Sequence, residues 1–172
     1  MLNRTMEDWE RLRDLPALLN ELPSLAEELG FHYYSFAFTS TTHEVNSEHL
    51  LAGGQAIVQA ALDFRPPHLQ RSSIPLIWGE KAFAMAPLLW TEAKTLGLHH
   101  GWVQPLSQGA TQSHLALLRP HVSLSIAELY QKAAHVMWLG ERLHLAASQS
   151  DETLEYTHRP RSLARKLRPS GE

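Results

Sequence analysis

A chain of 172 residues, 44% of them hydrophobic, can bury one sizeable core but is short for two, so a single domain with an appended tail is expected. Its formal net charge of -3 gives no bulk attraction to nucleic acid or to an anionic membrane, so direct specific DNA binding and a membrane association are both unexpected. The absence of cysteine rules out disulfides, thiolate catalysis and cysteine-based metal sites, and it suits a reducing cytoplasm. The polar, mixed-charge start from Met1 to Arg13 is unlike a secretory signal, and no apolar run is long enough to span a bilayer.

In chain order, Trp9, Leu12, Leu15, Leu18, Leu19, Leu22, Leu25 and Leu29 recur at helical intervals, which predicts a helix over residues 5–29. Pro23 is expected to break or kink it, and Gly30 stands where a C-terminal cap belongs. Residues 31–39 alternate as a strand does, with Tyr34, Phe36 and Phe38 on one face and Tyr33, Ser35, Ala37 and Thr39 on the other. Ser40 to Ser47 reads as a polar connection. A helical stretch from Glu48 to Leu62, interrupted by Gly53 and Gly54, ends at Pro66 and Pro67.

The run Ile74-Pro75-Leu76-Ile77-Trp78 looks like entry into a buried strand. From Phe83 to Leu96 the apolar spacing fits a helix, with Pro87 tolerated near its first turn and Gly97 suited to its end. Two short strands are expected around Trp102–Pro105 and His114–Arg119. Ser125 and Glu128 have the spacing of a capping box, and Ile126, Leu129, Ala133, Val136, Met137, Gly140 and Leu143 make an apolar stripe on a long closing helix beyond it. From residue 149 the composition turns basic and poor in large apolar groups, so the domain is placed at 1–148 and a flexible or weakly helical tail at 149–172.

This order of elements, with Pro75-Leu76-Ile77-Trp78, Trp90-Thr91-Glu92-Ala93 and Gly97-Leu98-His99-His100-Gly101-Trp102 in it, resembles the acyl-homoserine-lactone-binding domain of LuxR-type quorum-sensing regulators over roughly residues 8–146. The resemblance implies an α+β fold, a three-layer α/β/α sandwich around a mainly antiparallel sheet. It also implies a ligand site between the sheet and the helices of one face. Asp63 matches the family's aspartate that accepts a hydrogen bond from the ligand amide, and Trp78 matches the tryptophan over the lactone ring. Phe83, Trp90 and Ala93 match the flank of the ring and acyl pocket, while Val103, Ala116, Ser35 and Ala37 fall where the family lines the acyl chain. An apolar pocket reads chain length because each buried CH2 contributes about 0.8 kcal/mol.

The chain departs from the family in specific places. Asn46, Leu50 and Gly54 stand at the positions of a tryptophan and tyrosines that donate hydrogen bonds to the ligand, Phe64 follows the aspartate where the family has proline, and Ala116 replaces a frequent hydroxyl. Each missing donor removes about 1–3 kcal/mol of ligand stabilisation unless replaced. Either the ligand differs or the pocket is filled. No DNA-reading helix-turn-helix follows within the 172 residues.

The leading expectation is therefore a quorum-sensing regulatory protein that antagonises a full-length LuxR-type regulator by heterodimerisation. A homodimer through the same domain is the other pairing, and a receptor for an acyl-homoserine lactone or related acylated signal is the rival function. No enzyme is expected: Ser107 and Ser113 lie in no nucleophile elbow, and Gly53-Gly54 lacks the pattern of a phosphate loop. His99, His100, His114 and His121 lack the spacing of a catalytic zinc site, so neither metal nor cofactor is expected beyond the acylated ligand itself.

Overall fold

The structure is a computed structural model and describes residues 6–158, with side chains over 7–150. Its centre is a five-stranded, wholly antiparallel sheet in the order β2-β1-β5-β4-β3, from β1 (Tyr33–Thr39), β2 (Glu44–His49), β3 (Leu76–Trp78), β4 (His100–Gln108) and β5 (Thr111–Arg119). Helices cover both faces. On one side, α1 (Met6–Glu10), α2 (Leu15–Glu28) and α5 (Ile126–His158) bury Trp9, Leu18, Leu22, Val136, Leu139 and Leu143 against Phe36, Phe38, Leu115 and Leu117. On the other, α3 (Gly54–Asp63) and α4 (Pro87–Thr95) cover a second core that holds Ile57, Val58, Ala93, Val103, Ala116 and Leu118. This is the expected α+β sandwich, and β5, at the centre of the sheet, is buried from Ser113 to Arg119 because it has a core on each face.

Local chemistry explains the element ends. The expected single first helix is two, because the Asp14 carboxylate accepts from the Ala17 N–H at 2.8 Å and starts α2 afresh, with Pro16 in its first turn. Helix α2 then runs on through Pro23 instead of stopping there. Gly30 (φ +87°) and Gly97 (φ +76°) end α2 and α4 in the left-handed conformation. Each is followed by the two reverse bonds of a Schellman motif: Gly30 N–H to the Glu27 carbonyl with Phe31 N–H to Ala26, and Gly97 N–H to Lys94 with Leu98 N–H to Ala93.

Several expectations are corrected. The polar stretch after Ser40 contains the edge strand β2, in which only Val45 is buried, and Gly53-Gly54 begins α3 instead of interrupting a helix. The first of the two short strands is the middle of the nine-residue β4 and the second is the end of the nine-residue β5, and the two meet at a two-residue hairpin turn, Gly109-Ala110. On α5, Ile126 (73% exposed) and Met137 (44%) face outward, while Leu139 and His144 are buried. The same helix continues to His158, so residues 149–158 of the expected tail are helical and the remainder lies outside the described residues.

A polar clamp holds the end of β5 to both helices beside it. Arg119 donates to both Glu128 carboxylate oxygens (2.6 and 2.9 Å) and to the carbonyls of Gly30, Val122 and Ser123. Ser125 accepts from the Glu128 N–H at 3.1 Å as a capping box requires, but the Glu128 carboxylate turns to Arg119 and Lys132. These cations hold its pKa down at about 2. Among the described residues, no helix is long and apolar enough to cross a membrane.

Candidate functional site

The residues singled out from the sequence share the α3–α4 face of the sheet. Ser35 pairs with Ala116, Ala116 with Val103 and Ala37 with His114, so these side chains point to the same side by strand alternation. They divide into two neighbouring compartments of opposite chemistry.

The first is apolar and closed. Trp78 and Phe83 are 2% and 3% exposed, while Ala93, Val103 and Ala116 have no exposed surface at all, so not even a water-sized void touches those three. The rings interlock: Phe83 meets Trp78 edge-on at 4.8 Å between centroids and stacks on the half-buried Trp90 at 5.2 Å. The Trp78 indole N–H donates to the Leu98 carbonyl at 2.8 Å, which satisfies its one polar group within the protein. Ser35, also buried, is bonded through its hydroxyl to the Gln55 side chain of α3. The residues that resemble a ring-and-chain pocket are thus packed against one another and against α3 and α4.

The second compartment is polar and open, a cavity of about 300 Å³ between the C-terminal end of α3 and the sheet. Asp63 and Ala37 line it, and Trp78 does not. Asp63 is exposed and accepts from the Gln59 side-chain amide at 2.9 Å. Arg65 reaches the Ile74 carbonyl with one Nη at 3.0 Å, while its Nε is buried without a partner, and desolvation lowers its pKa. His114 comes up from β5, is 5% exposed, and has no partner for its Nε2. Burial pushes its pKa down to about 4 although the Asp63 carboxylate pulls the other way, so the ring is neutral at pH 7.

The structure therefore separates what the sequence joined. Trp78, Phe83, Trp90, Ala93, Val103 and Ala116 cluster in the closed compartment, whereas Asp63 and Ala37 belong to the polar cavity and Ser35 is tied to Gln55. Arg65, His114 and Gln59 escaped the sequence reading as cavity residues. A signal for His114 was present: it shares a strand face with Ala116 and Leu118, where a polar ring has no reason to sit unless something meets it. Arg65 gives no such signal, because its place depends on the bend after α3. Asn46 lies on the edge strand β2, and Gly54 starts α3, where a Cβ would stand 2.9 Å from the Leu50 Cβ.

No protein-family model matches the sequence. The chain is 31% identical over 112 residues to the transcriptional activator protein PhzR of Pseudomonas fluorescens, an alignment that takes in 59% of this chain and 46% of that protein. It thus spans about half the length of that curated relative. Among solved structures, it superimposes on CepR2 of Burkholderia cenocepacia, an N-acylhomoserine-lactone-dependent LuxR family factor, with a TM-score of 0.64 and 18% identity, covering 81% of this chain and 88% of that one. Escherichia coli SdiA gives a TM-score of 0.62 at 20% identity, over 84% of this chain and 65% of that one. The sheet order and its two helical layers agree with these superpositions, so the domain has the fold of the LuxR-type signal-binding domain.

Proposed function

We propose that this chain is a quorum-sensing regulatory subunit that acts by protein contact, pairing with a full-length LuxR-type transcription regulator and weakening its grip on DNA. The observation that carries the proposal is the closed compartment: five of the residues that resemble a ring-and-acyl pocket, Trp78, Phe83, Ala93, Val103 and Ala116, are 0–3% exposed. An acyl chain cannot enter there without displacing interlocked rings. A surface suited to pairing exists on α5, where Ile126 (73% exposed), Tyr130 (81%), Met137 (44%) and Leu145 (44%) fall on one side of the helix, away from the buried Val136, Leu139 and Leu143.

Dimeric helix-turn-helix regulators gain tight binding from two half-sites, so a pairing that takes one regulator subunit away from its twin forfeits much of the affinity. Titrating the chain into a LuxR-type regulator bound to its operator, followed by gel shift, is expected to release the DNA as a heterodimer forms. Unchanged operator binding at large excess, with no co-purification, refutes the proposal. Substituting Tyr130 and Met137 by Lys is expected to prevent the release.

A receptor for an acylated signal is the second reading, favoured by the relatives: CepR2 is described as N-acylhomoserine-lactone dependent, and a structure of SdiA in complex with octanoyl-rac-glycerol superimposes with a TM-score of 0.57. Thermal melting with a panel of acyl-homoserine lactones separates the two, since a ligand at 100 times its Kd adds about 2.7 kcal/mol.

A further inference from the structure

We infer that the cavity between the end of α3 and the sheet is a binding site for a free amino acid, held with its ammonium on Asp63 and its carboxylate on Arg65. This goes beyond the pairing proposed above and does not depend on it.

The chemistry of the walls selects the ligand. His114 is 5% exposed, lines the cavity and leaves its Nε2 without a partner, while the Arg65 Nε is buried and equally unpartnered. Buried polar atoms of this kind are rare, because each forfeits a hydrogen bond to water and recovers nothing. Both residues line one space, and a small rotation of the ring or the guanidinium would turn its unpaired nitrogen to a polar molecule there. Asp63 spends one carboxylate oxygen on Gln59 and has lone pairs left for a donor.

One cation and one anion across a single cavity suit a molecule that carries both charges and is neutral overall. A net anion would meet Asp63 and a net cation Arg65, whereas a zwitterion complements each with a charge-assisted hydrogen bond. The volume of about 300 Å³ admits an amino acid with a modest side chain, which would rest on Ala37, Leu62 and Pro105. A long acyl chain finds no comparable lining, because Gln59, Gln70 and Ser72 share the mouth. The neutral His114 ring supplies either a donor or an acceptor to the bound carboxylate or side chain, according to its tautomer.

The test is calorimetric titration and thermal melting of the 172-residue chain with each of the common amino acids, and with N-acetyl and methyl-ester forms of any that bind. The expected result is saturable binding by one or a few free amino acids, lost when either end is capped, and weakened about tenfold or more in both Asp63→Asn and Arg65→Gln. His114→Gln, which keeps a polar tip, is expected to bind more weakly while retaining a cooperative melt, which separates loss of the site from loss of the fold. Absence of binding by every amino acid at millimolar concentration overturns the inference. So does equal binding of capped and free forms, or binding that survives in Asp63→Asn and Arg65→Gln. Binding of octanoyl-homoserine lactone with no amino acid bound also overturns it and favours the receptor for an acylated signal.

Discussion

Replacing Ala116 by Leu asks directly whether the acyl-type compartment is full. Ala116 lies on the central strand β5, opposite Val103 and Ser35, with no exposed surface and with Trp78, Phe83 and Leu118 in the same core. The substitution adds three carbons. In a closed core they must displace neighbours, which costs about 1–3 kcal/mol. Were an empty pocket present, the same carbons would bury in it and add up to about 2 kcal/mol of stability. The two cases differ in sign, so the outcome does not hinge on either magnitude. For a domain of this size 1 kcal/mol moves the melting point by about 2–4 °C, so a fall of roughly 2–12 °C is expected. Differential scanning calorimetry with a matched urea titration reads it, and the urea m-value reports whether the variant unfolds as a unit. A melting point unchanged or raised would mean space at Ala116, and the argument for a filled compartment would fail.

Stability should also fall with pH through His114. The ring takes a proton near pH 6.5 in the unfolded chain but only near pH 4 when folded, so its effect is nil above 6.5 and grows as pH drops toward 4, to about 3 kcal/mol in full. Urea unfolding at pH 7 and pH 4.5 should show a smaller loss in His114→Leu than in the parent chain, and equal losses would assign the effect elsewhere. Arg119→Met removes five hydrogen bonds and strands Glu128 beside Lys132, so a cost of about 3 kcal/mol is expected in chemical denaturation. A cost below about 1 kcal/mol would show that the clamp is dispensable. Gly101→Ala should destabilise by about 3 kcal/mol, because a Cβ there would stand 2.2 Å from the Leu117 carbonyl oxygen in the paired strand; a soluble variant with an unshifted melting point would contradict this.

What the residues determine locally could be read along the chain. The alternation from Tyr33 to Thr39 separates a bulky face from a small one, Gly30 and Gly97 stop their helices, and Ser125 starts α5, since each depends on neighbours within a turn or two. The polar strand β2, both ends of β4 and the first three residues of β5 were not legible, because they are strands by virtue of the partner they bond to and their side chains show no clean alternation of apolar and polar. The resemblance placed nine residues in one frame, and tertiary packing split that frame. Rings brought together from β3, α4 and the turn between them fill one compartment, while the end of α3 and the bend after it set Asp63 and Arg65 on the same cavity as a histidine about fifty residues away in sequence. Whether a pocket is open depends on how side chains from distant segments divide a shared volume, and no local pattern along the chain records that division.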